Sequence, residues 1–198
     1  MYRPLRQHTG FTIFELMLTL GIAAIIAGLA VPNIRDFIRN NRLSSVANDL
    51  LRGTQVARSE AAKRQANVVF CATADPSATP PTCSYGAFRG WVVFEDSVRN
   101  WQADSGEVVI SRHDLVDASV TVVNDNGGIV SYASSGFADP PGTKTPTRNI
   151  VICDARGNTD LGTGSTARAV IIEATGRSRV TKRATEITTA MASAGACP

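Results

Sequence analysis

The run from Phe11 to Val31, FTIFELMLTLGIAAIIAGLAV, constrains this 198-residue chain more than any other feature, because Glu15 is its only charge. Wound as an α-helix, a run of that length reaches about 31 Å and matches the roughly 30 Å hydrocarbon layer of a bilayer. The residues ahead of it carry Arg3 and Arg6 and no acid. The positive-inside bias therefore keeps the N-terminus in the cytoplasm and sends everything beyond Val31 across the membrane. A secretory signal peptide would have a shorter apolar region and a small-residue cleavage site; here a helical pattern continues instead. With 43% hydrophobic residues overall, the rest of the chain holds enough for one core, which excludes a disordered chain and also two large domains.

Past Pro32, the residues Ile34, Phe37, Leu43, Val46, Leu50, Ala57 and Ala61 keep helical spacing as far as Arg64. The helix is thus apolar all round in its first half and amphipathic in its second, with Pro32 expected to kink or loosen it. After Gln65 the helical period stops. Short β-rich runs follow at 67–72, 90–94, 108–110, 119–123, 128–132, 149–153, 167–174 and 178–181, separated by loops of Pro, Gly, Ser and Thr at 75–82, 139–147 and 154–166. The expected fold class is α+β, a long N-terminal helix whose second half packs on a sheet of several antiparallel strands. Trp91 and Val93, in the second run, are expected in its core.

A carboxylate inside an apolar span costs about 2.5–3.5 kcal/mol at mid-membrane and calls for a partner. The text around Glu15, Gly10-Phe11-Thr12-Ile13-Phe14-Glu15 behind a short basic leader, resembles the prepilin peptidase recognition sequence of type IV pilins and type II secretion pseudopilins. Further patches resemble the GspH/FimT family of minor pilins and pseudopilins. They are Asn41-Arg42-Leu43, Ala57-Arg58-Ser59-Glu60-Ala61, Gly90 to Asp96, Ser135-Gly136-Phe137, Cys153-Asp154, Arg168 to Ile172, and Gly176-Arg177-Ser178-Arg179. The resemblance implies a type IV pilin fold and cleavage by the prepilin peptidase between Gly10 and Phe11, with methylation of the new amine. It also implies a filament in which Glu15 pairs with the Phe11 ammonium of a neighbouring subunit. The chain then divides into a leader (1–10), a transmembrane or filament-core helix (11–31), an amphipathic continuation (32–64) and a β-rich periplasmic domain (65–198). It would sit as a single-pass protein in a bacterial inner membrane and be incorporated into a pilus among other pilin subunits.

Cys71, Cys83, Cys153 and Cys197 all fall on the translocated side, where thiols are usually oxidised. Two disulfides are expected, with three pairings open. Cys71–Cys83 would close the Pro-rich loop and Cys153–Cys197 would tie down an otherwise loose tail, so that pair is preferred. No zinc-type spacing is present. Only His8 and His113 exist, His8 leaves with the leader, and no nucleophile elbow or P-loop accompanies His113. No enzymatic activity, metal or cofactor is expected.

The net charge of +3 hides a strong partition. Residues 33–64 carry seven basic and three acidic side chains, residues 65–167 six and eleven, and residues 168–183 five and one. The last is a basic island within which Arg177 and Arg179, in extended chain, share a side about 6–7 Å apart, with Lys182 and Arg183 beyond. Lys144 and Arg148 are candidates to extend it. Arginine forks suit phosphate, but charge alone fits equally a solubilised edge strand or a bridge to acids of another subunit. Gly176-Arg177-Ser178-Arg179 resembles the Gly-Arg-x-Arg element of FimT-type pilins, and that resemblance implies DNA binding in natural transformation through Arg177, Arg179, Lys182 and Arg183. Three or four neutralised phosphates would give log affinity against log salt a slope near −3. The other expectation is a structural minor pilin or pseudopilin, FimU-like or GspH-like, that binds no DNA.

Overall fold

The computed structural model describes residues 10–83, 88–114, 119–125, 128–139 and 148–197; the leader ahead of Gly10 and Lys144 lie outside them. The chain opens on α1 (Ile13–Arg64). Thr12 starts it, its Oγ1 accepting the Glu15 N–H at 3.2 Å while its carbonyl accepts the Leu16 N–H at 3.1 Å. Pro32 removes one bond from the ladder without ending the helix.

Two compact units meet between Asn40 and Asn41. In the first, the apolar side chains of α1 are exposed, Phe14 at 77% and Leu29 at 70%, and the helix is long and apolar enough to cross a membrane. In the second, α1 becomes the spine of a core shared by two four-stranded antiparallel sheets. The strands are β1 (Val68–Thr73), β2 (Gly90–Glu95), β3 (Val109–Asp114), β4 (Thr121–Asn124), β5 (Ile129–Tyr132), β6 (Arg148–Cys153), β7 (Arg168–Ile172) and β8 (Ser178–Thr181). One sheet runs β3-β2-β1-β5 and the other β4-β6-β7-β8, so β8 is an edge strand. The strands do not form the single sheet expected of them. Instead Leu43, Val46, Leu50 and Ala57 of α1 meet Phe70, Trp91 and Tyr132 of the first sheet and Ile150, Val170 and Ile172 of the second in one cluster. Trp91 and Val93 lie in that core, 3% and 0% exposed.

In β1, β2, β5 and β6 the alternate residues are buried as well, whereas β3, β4 and β8 are largely half-exposed. Behind the first sheet, Val69, Val92 and Phe94 pack with Cys83 and Ala103. Behind the second, Val151, Cys153 and Ala169 pack with Ile187 and Ala190. These last belong to α2 (Ala184–Ala194), so the C-terminal stretch expected as a loose tail is a helix. Its sequence is rich in Ala and Thr and lacks a strong apolar stripe. Even so, Ile187, Ala190, Met191 and Ala194 recur at helical spacing, and Gly195 closes the end by donating its N–H to Met191 O at 2.9 Å. Cys71 is bonded to Cys83 and Cys153 to Cys197; the second bond fastens the end of α2 to β6.

Candidate functional site

The β7–β8 hairpin brings the arginine-rich element to the edge of the second sheet. Its turn is closed by Gly176 N–H donating to Glu173 O at 2.8 Å and Glu173 N–H donating to Arg177 O at 2.9 Å. Gly176 takes φ +78°, and a Cβ on it would stand 2.1 Å from Gly136 O. Only glycine fits, on both conformational and steric grounds. Arg58 of α1 locks the two loops together, its Nε donating to Gly136 O at 2.9 Å and its Nη2 to Thr175 O at 3.1 Å. Three patches distant in sequence, around Arg58, Gly136 and Gly176, therefore form one contact. Beside it lies an open cleft of about 350 Å³ lined by Gln55, Arg58, Ser59, Ala62, Ser135 and Gly136.

Alternation along β8 sets the direction of each side chain. Ser178 points inward, its hydroxyl 3.3 Å from the Tyr132 hydroxyl, and Val180 packs against the main core. Arg179 is on the other face, the one α2 covers. Its Nη1 lies 2.8 Å from Glu186 Oε2 and its Nε 3.8 Å from Glu173 Oε1, while Arg183 Nη1 lies 3.4 Å from Glu186 Oε1. The Arg179 hydrogen bond holds the Glu186 carboxyl below the ordinary carboxylate range, with the Thr181 hydroxyl adding to the effect. Arg177 and Lys182 are exposed and form no ion pair among the described residues. The basic island is thus two side chains open to solvent and two already engaged by acids of the same chain.

Two further cations counted toward the island sit elsewhere. Arg168 is half-buried, donating to Ser165 O at 2.9 Å, Ala167 O at 2.8 Å and Ser44 Oγ at 3.3 Å. Arg148 is 2% exposed, because it shares the inward face of β6 with Ile150 and Ile152 and lies near the Asp125 carboxylate; it does not extend a surface patch. His113 lies on β3 with its side chain 38% exposed, its ring stacked on Trp91 at 5.2 Å and its Nε2 3.6 Å from Asp49 Oδ2. Among the described residues no group of three or more His, Cys, Asp or Glu is set to hold a metal.

At the other end of the chain, Gly10 is exposed with open space around it, and Glu15 is exposed three residues into α1. Thr12 and Glu15 also stand in the T-x-x-E order of a helix-starting box, a signal already present in the sequence. Glu186 was equally readable, three residues after Arg183, but its approach to Arg179 depends on α2.

An apolar N-terminal helix carrying a domain in which two antiparallel sheets share that helix as their core defines a pilin-type subunit. The model of the family described as type II transport protein GspH matches residues 46–176. The chain belongs to this GspH/FimT family of type IV minor pilins and pseudopilins, whose members are structural components of pilus and pilus-like assemblies built from pilin subunits. Among solved structures it is similar to the type IV minor pilin FimU of Pseudomonas aeruginosa (strain PAO1). In the P21 crystal form the two are 22% identical over 73% of this chain and 92% of that one, with a TM-score of 0.52. The P65 form gives 21% identity over 70% and 92%, with a TM-score of 0.47. Likeness at that identity speaks for the fold alone. No curated protein matches the chain.

Proposed function

We propose that the chain is a minor type IV pilin that, after removal of residues 1–10 by a prepilin peptidase, enters a pilus through its apolar helix and binds DNA at the β7–β8 edge for uptake in transformation. The observation that carries this reading is the turn at Gly176-Arg177. It is locked by Arg58 against Gly136 and holds Arg177 exposed on a rigid hairpin. A guanidinium so placed meets a phosphate without first ordering a loop. Contacts of this kind position a duplex or single strand and carry no base information.

With Arg177 and Lys182 open, about two phosphates are engaged first, and the salt slope is near −2 rather than −3. Full-length protein in a neutral detergent, titrated with DNA by fluorescence anisotropy across salt concentrations, tests this. Arg177→Gln should reduce the slope by about one, uniformly across DNA sequences. Unchanged affinity in that variant would reject the site.

The structural alternative, a FimU-like or GspH-like subunit without DNA affinity, is favoured by one specific observation. Glu186 and Glu173 already answer Arg179, as they would if these arginines served the fold. The titration separates the two readings directly.

A further inference from the structure

Arg179 and Arg183 converge on a single carboxylate. Glu186 presents Oε2 to Arg179 Nη1 at 2.8 Å and Oε1 to Arg183 Nη1 at 3.4 Å, using both oxygens across two cations as a phosphate uses its two free oxygens. The Thr181 hydroxyl also favours the charged form of the same carboxylate. Glu186 sits in the first turn of α2, where a negative charge is favoured by the helix dipole, and α2 is fastened to β6 by the Cys153–Cys197 bond. The carboxylate is therefore held in place rather than reaching the arginines by chance. Yet its side chain is 27% exposed, and those of Arg179 and Arg183 are 42% and 79% exposed. Ion pairs this wet are weak and exchangeable.

We propose that Glu186 is a built-in stand-in for phosphate, which keeps Arg179 and Arg183 occupied until a polyanion already anchored at Arg177 and Lys182 displaces it. The inference rests on the DNA reading of the same edge and deepens it. β8 is extended and at the sheet edge, so Arg177 and Arg183 are spread over about 20 Å of chain. A strand with closely spaced phosphates can hold the open residues and compete for the closed ones at once. A lone anion cannot, since it meets Glu186 without a prior anchor. Glu186 thereby sets specificity for polyphosphate backbones over single anions.

The test compares wild type, Glu186→Gln, and Asp75→Asn as a control of equal charge change. Asp75 follows β1 past the residues paired with Ile129, whereas the Gly136 loop follows Tyr132 at the opposite end of that strand. Full-length protein in neutral detergent is titrated with DNA across a salt series, with inorganic phosphate as competitor. Glu186→Gln should steepen the salt slope by about one to two and raise affinity about eight-fold per phosphate gained near 0.1 M salt. It should also make binding sensitive to inorganic phosphate, while Asp75→Asn changes affinity less than about two-fold. In the wild type, Arg179→Gln should matter less than Arg177→Gln; in the Glu186→Gln background the two should matter equally. This second comparison holds even where loss of Glu186 loosens α2, because it reads which arginine meets DNA. Wild-type binding with the same slope in Glu186→Gln would overturn the inference and leave the DNA reading standing. No binding by either protein would overturn both.

Discussion

At the scale of single residues, the contact of Gly176 with Gly136 is the most exacting point of the candidate site. Gly176→Ala would set a methyl against a backbone oxygen at a positive φ, and strain of this kind is worth about 1–3 kcal/mol. A denaturant melt should show a loss of that size. Arg58→Gln should cost a similar amount through its two charge-assisted bonds to Gly136 O and Thr175 O, and the double variant should fall short of the sum because both act on one contact. Asp125 gives a separate, pH-dependent signature. Its carboxylate accepts from Asn149 N at 3.0 Å and from Ser193 Oγ at 3.4 Å, but burial outweighs these donors and pushes its carboxyl above the usual range. The native state then holds the proton more tightly than the unfolded state. This stabilisation is complete below the unfolded value near 4 and is lost as pH rises through the higher folded value. Stability melts of wild type and Asp125→Asn from pH 4 to 7 should therefore shift progressively in the variant's favour as pH rises. A constant difference would mean the carboxyl is not raised.

At the scale of elements, what could be read in advance follows from how each element is stabilised. The helix of 52 residues and the eight strands were legible, β1, β2, β5, β6 and β7 because they bury apolar side chains in sequence, and β3, β4 and β8 only as short β-branched runs between turn residues, so that β3 continues to Asp114 beyond the run at 108–110. Two things were not. The split into two sheets depends on which strands pair, and nothing in the apolar runs encodes partner choice. α2 escaped because only Ile187 and Ala190 of its eleven residues are fully buried; its place is fixed by the sheet beneath it and the disulfide at its end. Missing α2 also hid Glu186, so the arginines read as a free basic island. The two disulfides should differ accordingly. Cys153–Cys197 spans 44 residues and Cys71–Cys83 spans 12, giving loop-entropy contributions of about 4 and about 3 kcal/mol. Paired Cys→Ser variants should lose stability in that order. Loss of the longer bond should additionally release α2, seen as faster amide exchange at Ile187 and Ala190, while the first sheet stays protected.

At the scale of the molecule, the two units have opposite surface chemistry. Every buried apolar residue of the three core clusters lies at Leu43 or beyond, whereas the first unit leaves Phe11, Phe14, Met17 and Leu29 more than two-thirds exposed. An exposed apolar surface that continuous is stable only in lipid or against other subunits. A chain of the GspH/FimT family has both environments available, and the stretch matched by the family model, 46–176, falls entirely within the second unit. Cutting at the boundary should therefore separate solubility from folding. A fragment of residues 41–198 with its disulfides formed loses no core side chain. It keeps the α1 positions Leu43, Val46 and Leu50 that both sheets require. It should be monomeric in aqueous buffer by analytical ultracentrifugation and melt cooperatively, with the near-UV signal of a packed Trp91, while the full chain needs detergent or lipid. Because the Arg58 contact, the β7–β8 hairpin and α2 all lie inside the fragment, its salt slope with DNA should equal that of the full chain in neutral detergent. A fragment that aggregates, or that is compact without a near-UV signal, would show that residues before Asn41 contribute to the core. A fragment that folds but binds DNA with a shallower slope would place part of the phosphate contacts on the basic residues Arg35 and Arg39, just past the membrane-length segment.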